Sequence, residues 1–419
     1  MKALFIHQNF PGQFRHLAAH LARQPGTEVL AIGRDHAPGM NGIRLLRYRP
    51  HRGPHKEIHP YVRTFEEGAL HGQQVLRMLL DLRRQGYRPD CVIAHPGWGE
   101  TLYVKQAFPG VKLIHFCEYY YHTQGADAGF DPEFPLTPHG AAAIFSRNAM
   151  HLLNLEQCDL AIAPTHWQRS LFPPTYHDKI QVIHEGIDIA GLGPDPAATL
   201  RLPNGKVLRA GEPVITYVAR NLEPYRGFHR FMRALPDVLR AHPACQVVII
   251  GGDDVSYGSR PKDAPNWRVK LLRENPVDPE RVHFLGKVSY GDYRRALQVS
   301  AVHVYLTYPF VLSWSLLEAL ASACMVVASD TAPVREAIRH GENGWLVDFF
   351  DGKALSGRIL QALAAPPEVA ALRAAARQSA QAYSVAKGIG QYMEWIGRLG
   401  GEPAESAQAE KRTKTAGGG

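Results

Sequence analysis

The 419-residue sequence lacks any uninterrupted apolar run of about 18 residues, the length that a membrane-crossing helix needs. Its opening, MKALFIHQNF, turns polar after a few apolar positions, too soon for the hydrophobic region of a signal peptide, so a cytoplasmic protein is expected. Cysteine is sparse and scattered. Cys91, Cys117, Cys158, Cys245 and Cys324 stand mostly in or beside apolar runs, with no paired metal spacing, and read as reduced, buried small hydrophobes. There is no Asp-x-Asp triplet and no His/Cys cluster with ligand spacing, so the adjacent Asp253 and Asp254 are not read as a metal site and no metal is expected. The first strand is followed by Asn-Phe-Pro-Gly-Gln, without a Gly-x-Gly-x-x-Gly, which disfavours a nicotinamide-dependent oxidoreductase.

What is present is an ordinary globular composition, 45% hydrophobic and 21% charged, on a chain too long for one comfortable core. Two domains are the default. The formal net charge is +8, and much of the basic density lies in the first half, as in Arg44, Arg47, Arg49, His51, Arg52, Arg83 and Arg84. That density reads either as a solvated basic face or as one that meets anionic lipid headgroups or a phosphate-bearing acceptor. Nucleic acid is disfavoured, because no recognised binding motif or pattern of stacking aromatics accompanies the cations.

Short apolar runs bounded by Gly, Pro or Asp alternate with helix-period segments, which is the pattern of βα units and a parallel sheet. In the first half the strand candidates are 3–7, 29–32, 91–94, 112–116, 160–163 and 181–184, with amphipathic helices over 13–23 and 62–84. The pattern breaks near Gly186–Gly211 and resumes with strands at 214–219, 246–250, 282–285, 302–306 and 326–329. The expected organisation is a Rossmann-like domain over 1–186, a linker over 187–212, a second Rossmann-like domain over 213–365, helices over 366–401 and a disordered tail over 402–419.

Fold alone gives no function, and the motifs must decide. From residue 214 the chain reads Val-Ile-Thr-Tyr-Val-Ala-Arg220-Asn-Leu-Glu-Pro-Tyr-Arg226-Gly227. Further on it reads Tyr308-Pro-Phe310-Val-Leu-Ser313-Trp314-Ser315-Leu-Leu-Glu318-Ala. Together these resemble the donor domain of family 4 retaining glycosyltransferases, bacterial enzymes of the two-Rossmann GT-B fold. Weaker matches fall in order: His184-Glu-Gly186-Ile-Asp188, the strand tipped by Gly251, the segment ending Gly286-Lys287-Val288, and the run from Val326 through Asn343-Gly344. The likeness covers about 180–365 strongly and the first half loosely.

The resemblance implies that Arg220 and Arg226 grip a donor diphosphate, Arg226 standing where the family usually has Lys. Backbone N–H groups near Ser313, Trp314 and Ser315 would face the phosphates, Glu318 would take the ribose diol, and the segment at Lys287 and Val288 would read the base. Phe310 occupies the place of a carboxylate that usually contacts the transferred sugar. In the first half Gly12 opens the loop opposite the phosphates, and His95 and Glu118 follow strand ends near the reacting sugar, His95 being read equally as a satisfied core histidine. The segment Asp131-Pro-Glu133 reads as a turn or as an acceptor-side loop, and Tyr119–Tyr121 as cleft wall or core. The implied reaction is metal-independent, retaining transfer from a nucleotide sugar, UDP- or GDP-linked, held between the two domains, to a glycan, lipid-linked or small-molecule hydroxyl. No further cofactor is implied. Surface-polysaccharide or glycan assembly is the role implied, with peripheral contact at the inner membrane face through the basic half. The rival reading is a catalytically degenerate sugar-nucleotide or glycan-binding protein.

Overall fold

The short apolar runs form parallel strands buried on both faces, as helices on either side of a sheet require. In the computed structural model, which describes residues 1–400, they build two α/β units. The first comprises Met1–Tyr121, Pro138–Gly186 and 385–400; the second comprises His122–Thr137 and Ile187–Ser384.

The strands of the first unit are β1 (Lys2–Ile6), β2 (Glu28–Arg34), β3 (Arg44–Tyr48), β4 (Cys91–Ala94), β5 (Lys112–Phe116), β6 (Leu160–Ala163) and β7 (Ile180–Val182). They form one parallel sheet in the order β3-β2-β1-β4-β5-β6-β7. Alternation divides the core: Leu4, Ile6, Val92 and Leu113 meet Val75 and Leu79 of the helix Arg63–Arg84, while Phe5, Ile93 and Ile114 meet Phe14, Leu17 and Ile396. The order reverses between β1 and β4, and doubly wound sheets bind ligands outside the strand carboxyl ends at that point.

In the second unit a hairpin of β8 (Thr199–Arg201) and β9 (Val207–Arg209) precedes β10 (Val214–Asn221), β11 (Gln246–Gly252), β12 (Val282–Gly286), β13 (Val302–Tyr305), β14 (Val326–Ser329) and β15 (Trp345–Val347). The parallel sheet runs β12-β11-β10-β13-β14-β15, reversing between β10 and β13. No helix among the described residues is long and apolar enough to cross a membrane, and all five cysteines are free and buried.

Several expectations need correction. The basic stretch at Arg44 is an edge strand, and residues 199–209, read as linker, form the hairpin. β15 was not anticipated at all. The C-terminal helices divide: Pro367–Ala380 belongs to the second unit, and Val385–Gly400 to the first, where Tyr392 and Ile396 join the core beside Leu21 and Phe5. The expected tail over 402–419 lies outside the described residues.

The segment Asp131-Pro-Glu133 is neither a free turn nor a loop of the first unit. Residues 122–137 leave the first unit after β5 and dock on the helix Phe228–Ala241 of the second. Asp131 is 1% exposed, yet four donors meet its carboxylate. Oδ2 lies 2.8 Å from His229 Nε2 and accepts from Tyr308 Oη at 3.1 Å, while Oδ1 accepts from Arg230 Nη2 and the Glu133 N–H, both at 3.0 Å. Glu133 takes a bidentate pair from Arg233 at 2.5 and 2.9 Å. Phe134 packs on Trp267, and Phe130 on Tyr308 and Phe349. Burial pushes the Asp131 carboxyl up, but His229, the Glu133 N–H and Arg230 outweigh it and hold it down to about 2, against an ordinary 3.8.

A carboxyl lowered by folding stabilises the native state fully above its ordinary value, and the contribution fades as pH falls toward and through about 2. Asp131→Ala, which leaves His229 and Tyr308 without their shared acceptor and Arg230 with Glu133 alone, is expected to cost about 1–3 kcal/mol at neutral pH. In urea unfolding series the wild-type advantage should shrink between pH 4 and pH 2. An advantage that holds constant over this interval counts against the ionised carboxylate.

Candidate functional site

At the first unit's rim the chain leaves β1 through His7 and turns at Gly12, whose φ of +48° suits glycine. A side chain at Gly12 would run into the His7 imidazole, so the close approach of backbone to ring also demands glycine. The hydrogen bonds then fix a direction. The Asn9 N–H donates to His7 Nδ1 at 2.9 Å, which leaves the proton on Nε2 to donate to Gln13 Oε1 at 2.7 Å. Gln13 Nε2 in turn donates to Glu118 Oε1 at 2.9 Å.

From the other side, the Gly97 N–H donates to His95 Nδ1 at 3.1 Å, which leaves a proton on Nε2, 3.5 Å from Glu118 Oε2. Trp98 stacks on the His95 ring at 4.4 Å. Burial and the neighbouring His95 hold His7 down to about 3, so it stays neutral. Burial raises Glu118, but His95, Gln13 and His7 together outweigh it and leave the carboxyl below its ordinary value. The result is an oriented carboxylate at the rim, met by Gln13 at one oxygen with His95 beside the other. His95 and Glu118 are thus brought together, and Gly12 supports them through His7. The sequence reading passed over His7 and Gln13. The available signal was a polar residue ending an apolar first strand, followed by a Gly-Gln turn. His115 lies wholly inside β5 and does not reach the rim, and Tyr119 is buried.

In the second unit Arg220, Gly251, Lys287 and Val288 line one cleft of about 540 Å³ at the ends of β10, β11 and β12, together with Tyr290 and Tyr293. Neither Arg220 nor Lys287 makes a hydrogen bond or ion pair with the described residues. Tyr290 Oη and Tyr293 Oη donate to the Glu318 carboxylate at 3.2 and 2.6 Å, fixing its position beside the cleft. Glu318 was expected to need a partner, and these two phenols are partners that the sequence reading did not foresee.

Arg226 departs from expectation. Its side chain is buried: Nη1 donates to Thr307 Oγ1 at 2.9 Å and to the Val311 carbonyl at 3.0 Å, under the rings of Tyr257 and Phe310. The cause lies at Glu223. This fully buried carboxylate accepts from the N–H groups of Ser256, Tyr257 and Gly258 at 3.1–3.2 Å and so lays Tyr257 over Arg226. Arg226 therefore braces the loop ahead of the helix Trp314–Ala321. Phe310 belongs to the same aromatic group, 4.8 Å from Tyr257 and 5.7 Å from Tyr225. At the helix start the Ser313 N–H donates to Tyr305 Oη at 3.0 Å, and the Ser313 side chain makes no cap bond. Ser313, Trp314 and Ser315 stay at that N-terminus, as expected, without lining the cleft of Arg220.

Among the described residues one group, Asp131, Glu133 and His229, has the spacing of metal ligands. Arg230 already lies 3.0 Å from both carboxylates and Arg233 closer still to Glu133, so guanidinium groups neutralise it.

A glycosyl transferase family 4 model matches residues 25–192, and a glycosyl transferases group 1 model matches residues 201–379. A D-inositol 3-phosphate glycosyltransferase from Nocardia farcinica is 30% identical over 41% of this chain and 36% of its own length. One from Rhodococcus erythropolis is 27% identical over 66% of this chain and 60% of its own. The chain thus spans less than two thirds of either relative. Among solved structures, a sucrose-phosphate synthase from Thermosynechococcus elongatus superposes with TM-score 0.71 at 18% identity, covering 95% of this chain and 98% of that one. Anabaena HepE in complex with UDP-glucose superposes with TM-score 0.68 at 16% identity, covering 95% and 100%. With both halves matched by family models and both sheets built in the same way, the chain belongs to the family 4 glycosyltransferases of the GT-B fold.

Proposed function

We propose that this protein transfers a sugar, with retention of configuration and without a metal, from a nucleoside-diphosphate sugar to an acceptor hydroxyl. The observation that carries the reading is the pair of uncompensated cations, Arg220 and Lys287, lining one cleft at the carboxyl ends of the second sheet. A diphosphate supplies the missing negative charge, and cations held in place before the reaction stabilise it as it leaves. On this reading Glu318, held by Tyr290 and Tyr293, accepts from a ribose diol. The UDP-glucose complex of a protein with the same fold supports a uridine donor. In the first unit Glu118 faces the acceptor hydroxyl, with His95 beside it. Part of the same reading is a role in glycan or surface-polysaccharide synthesis with peripheral contact at the inner membrane face. The apolar residues Phe145 and Leu153, exposed on the helix Pro138–Gln157, favour that contact.

A second reading, a sugar-nucleotide-binding protein without transfer, draws on Phe310, which puts an aromatic ring where the family usually has a carboxylate. Turnover separates the two readings.

Calorimetric titration with UDP, GDP and ADP in metal-free buffer should show selective binding of one nucleotide. Arg220→Ala and Lys287→Ala should each weaken it about tenfold, or about 1.4 kcal/mol. Equal affinity in the variants would remove the cleft from the donor site. Glu118→Gln should lower kcat by about 10²–10⁴-fold while nucleotide affinity stays unchanged, the usual scale for a positioned proton acceptor. Undiminished turnover in that variant would exclude Glu118 from the chemistry, and no turnover in the wild type with any donor would favour the binding-protein reading. Arg226→Ala, which leaves the Val311 carbonyl and Thr307 without their donor, should lower unfolding free energy by about 1–3 kcal/mol in denaturant titrations. An unchanged midpoint would contradict the bracing role.

A further inference from the structure

The first unit carries a second cleft that neither His95 nor Glu118 lines. It opens at the carboxyl ends of β2 and β3, has a volume of about 560 Å³, and takes its polar lining from Arg34, Arg49, His51, Arg52, Glu67 and His71. Three guanidinium groups face one carboxylate there. Arg52 is turned partly aside by Glu66, at 2.8 Å, and Arg49 Nε stands 3.8 Å from Asp35.

Arg34 differs from both. Its guanidinium makes no hydrogen bond or ion pair with the described residues, although its Nε is buried. Two carboxylates feel its charge without bonding it: Asp35, beside His36 and Arg49, and Glu100, which is itself 1% exposed and accepts from Tyr48 Oη at 2.6 Å, with Tyr48 Oη 2.8 Å from His71 Nδ1. Burial raises the Glu100 carboxyl, although Tyr48 and the Arg34 charge act against it. His71 is held down to about 4 by burial and by the Arg34 charge, so it offers a neutral imidazole to the cleft. The Arg34 guanidinium is only partly buried, and the cleft in front of it is where an anion can meet its unused donors. Arginine forks match the oxygens of a phosphate bidentately, and three guanidinium groups around one cleft suit an anion that carries more than one charge.

We propose that this cleft binds the phosphate group of a phosphorylated acceptor, with Arg34 as its anchoring cation and Arg49 and Arg52 closing on the outer oxygens. The inference rests on the reading of the first unit as the acceptor side. Glu100 lies five residues beyond His95 in the loop after β4 and reaches His71 of the cleft lining through Tyr48. The phosphate is either that of a soluble polyol phosphate or that of a lipid headgroup, and the chemistry of recognition is shared.

The test uses the full chain in chloride buffer, titrated with glycerol 3-phosphate and, separately, mixed with phosphatidylcholine vesicles with and without phosphatidylglycerol. The expected result is binding of one of the two probes that falls at least tenfold in Arg34→Gln and is partly restored in Arg34→Lys, while UDP affinity is unchanged. Glycerol 3-phosphate binding assigns a soluble acceptor, and binding only to the anionic vesicles assigns a headgroup. The exposed pair Arg49→Gln/Arg52→Gln provides a second variant with little risk to folding, and it should weaken the same probe. Equal affinity in wild type and both variants, or no binding of either probe, overturns the proposal. Loss of UDP binding in the wild type with probe binding intact would sink the donor reading and leave this one standing.

Discussion

Where the order of a parallel sheet reverses, the connections on the two sides depart in opposite directions and leave the strand ends uncovered. That constraint organises both units. Between β1 and β4 the exposed rim collects the turn at Gly12 and the His95 loop, which converge on Glu118 after β5. Between β10 and β13 it brings Arg226 to the loop from Thr307 to Ser313, while Arg220 belongs to the cleft at the ends of β10, β11 and β12. Polar groups gather at these rims because the strands themselves are buried on both faces and have no room for them. The chemistry follows from the strand order before any individual side chain is considered.

The strands themselves were largely legible. Cys91–Ala94, Lys112–Phe116, Leu160–Ala163 and Val326–Ser329 are short apolar runs between turn residues, and such runs in alternation with helices admit few topologies. β3 escaped because Arg44 and Arg47 give an edge strand the look of a charged surface stretch; the sheet contact lies in Leu45, Leu46 and Tyr48. The crossing of residues 122–137 to the second unit was illegible for another reason. Asp131, Glu133 and Phe134 read locally as a turn, and nothing in their own spacing announces that His229, Arg230 and Arg233, a hundred residues later, supply the donors. Sequence patterns report periodicity within an element. They do not report which distant element satisfies a lone carboxylate.

The site residues divide on the same ground. Motif order brought Arg220, Gly251, Lys287 and Val288 to one cleft, because each stands at the end of a strand whose neighbour is fixed by the sheet. It did not settle where each cation's charge goes. Arg226 has the spacing of a phosphate ligand, but Glu223 spends its carboxylate on three backbone N–H groups and folds Tyr257 over the guanidinium. The difference between a ligand-binding arginine and a bracing one lies in a loop thirty residues away.

That division gives the overall charge of +8 a structural meaning. A guanidinium that already donates to carbonyls and hydroxyls, as Arg226 does to Thr307 and Val311, or Arg281 to the carbonyls of Leu239 and His242, is part of the fold's own hydrogen bonding. Removing it strands acceptors, so its loss is felt as instability. Arg220, Lys287 and Arg34 leave no acceptor stranded, since the described residues offer them none. An exposed or half-buried cation at a cleft with no internal partner contributes little to the native state, and its donors stay free for an anion. The two clefts with such cations sit at the carboxyl edges of different sheets, and in each the donors that the fold leaves unused are what an incoming anion would meet.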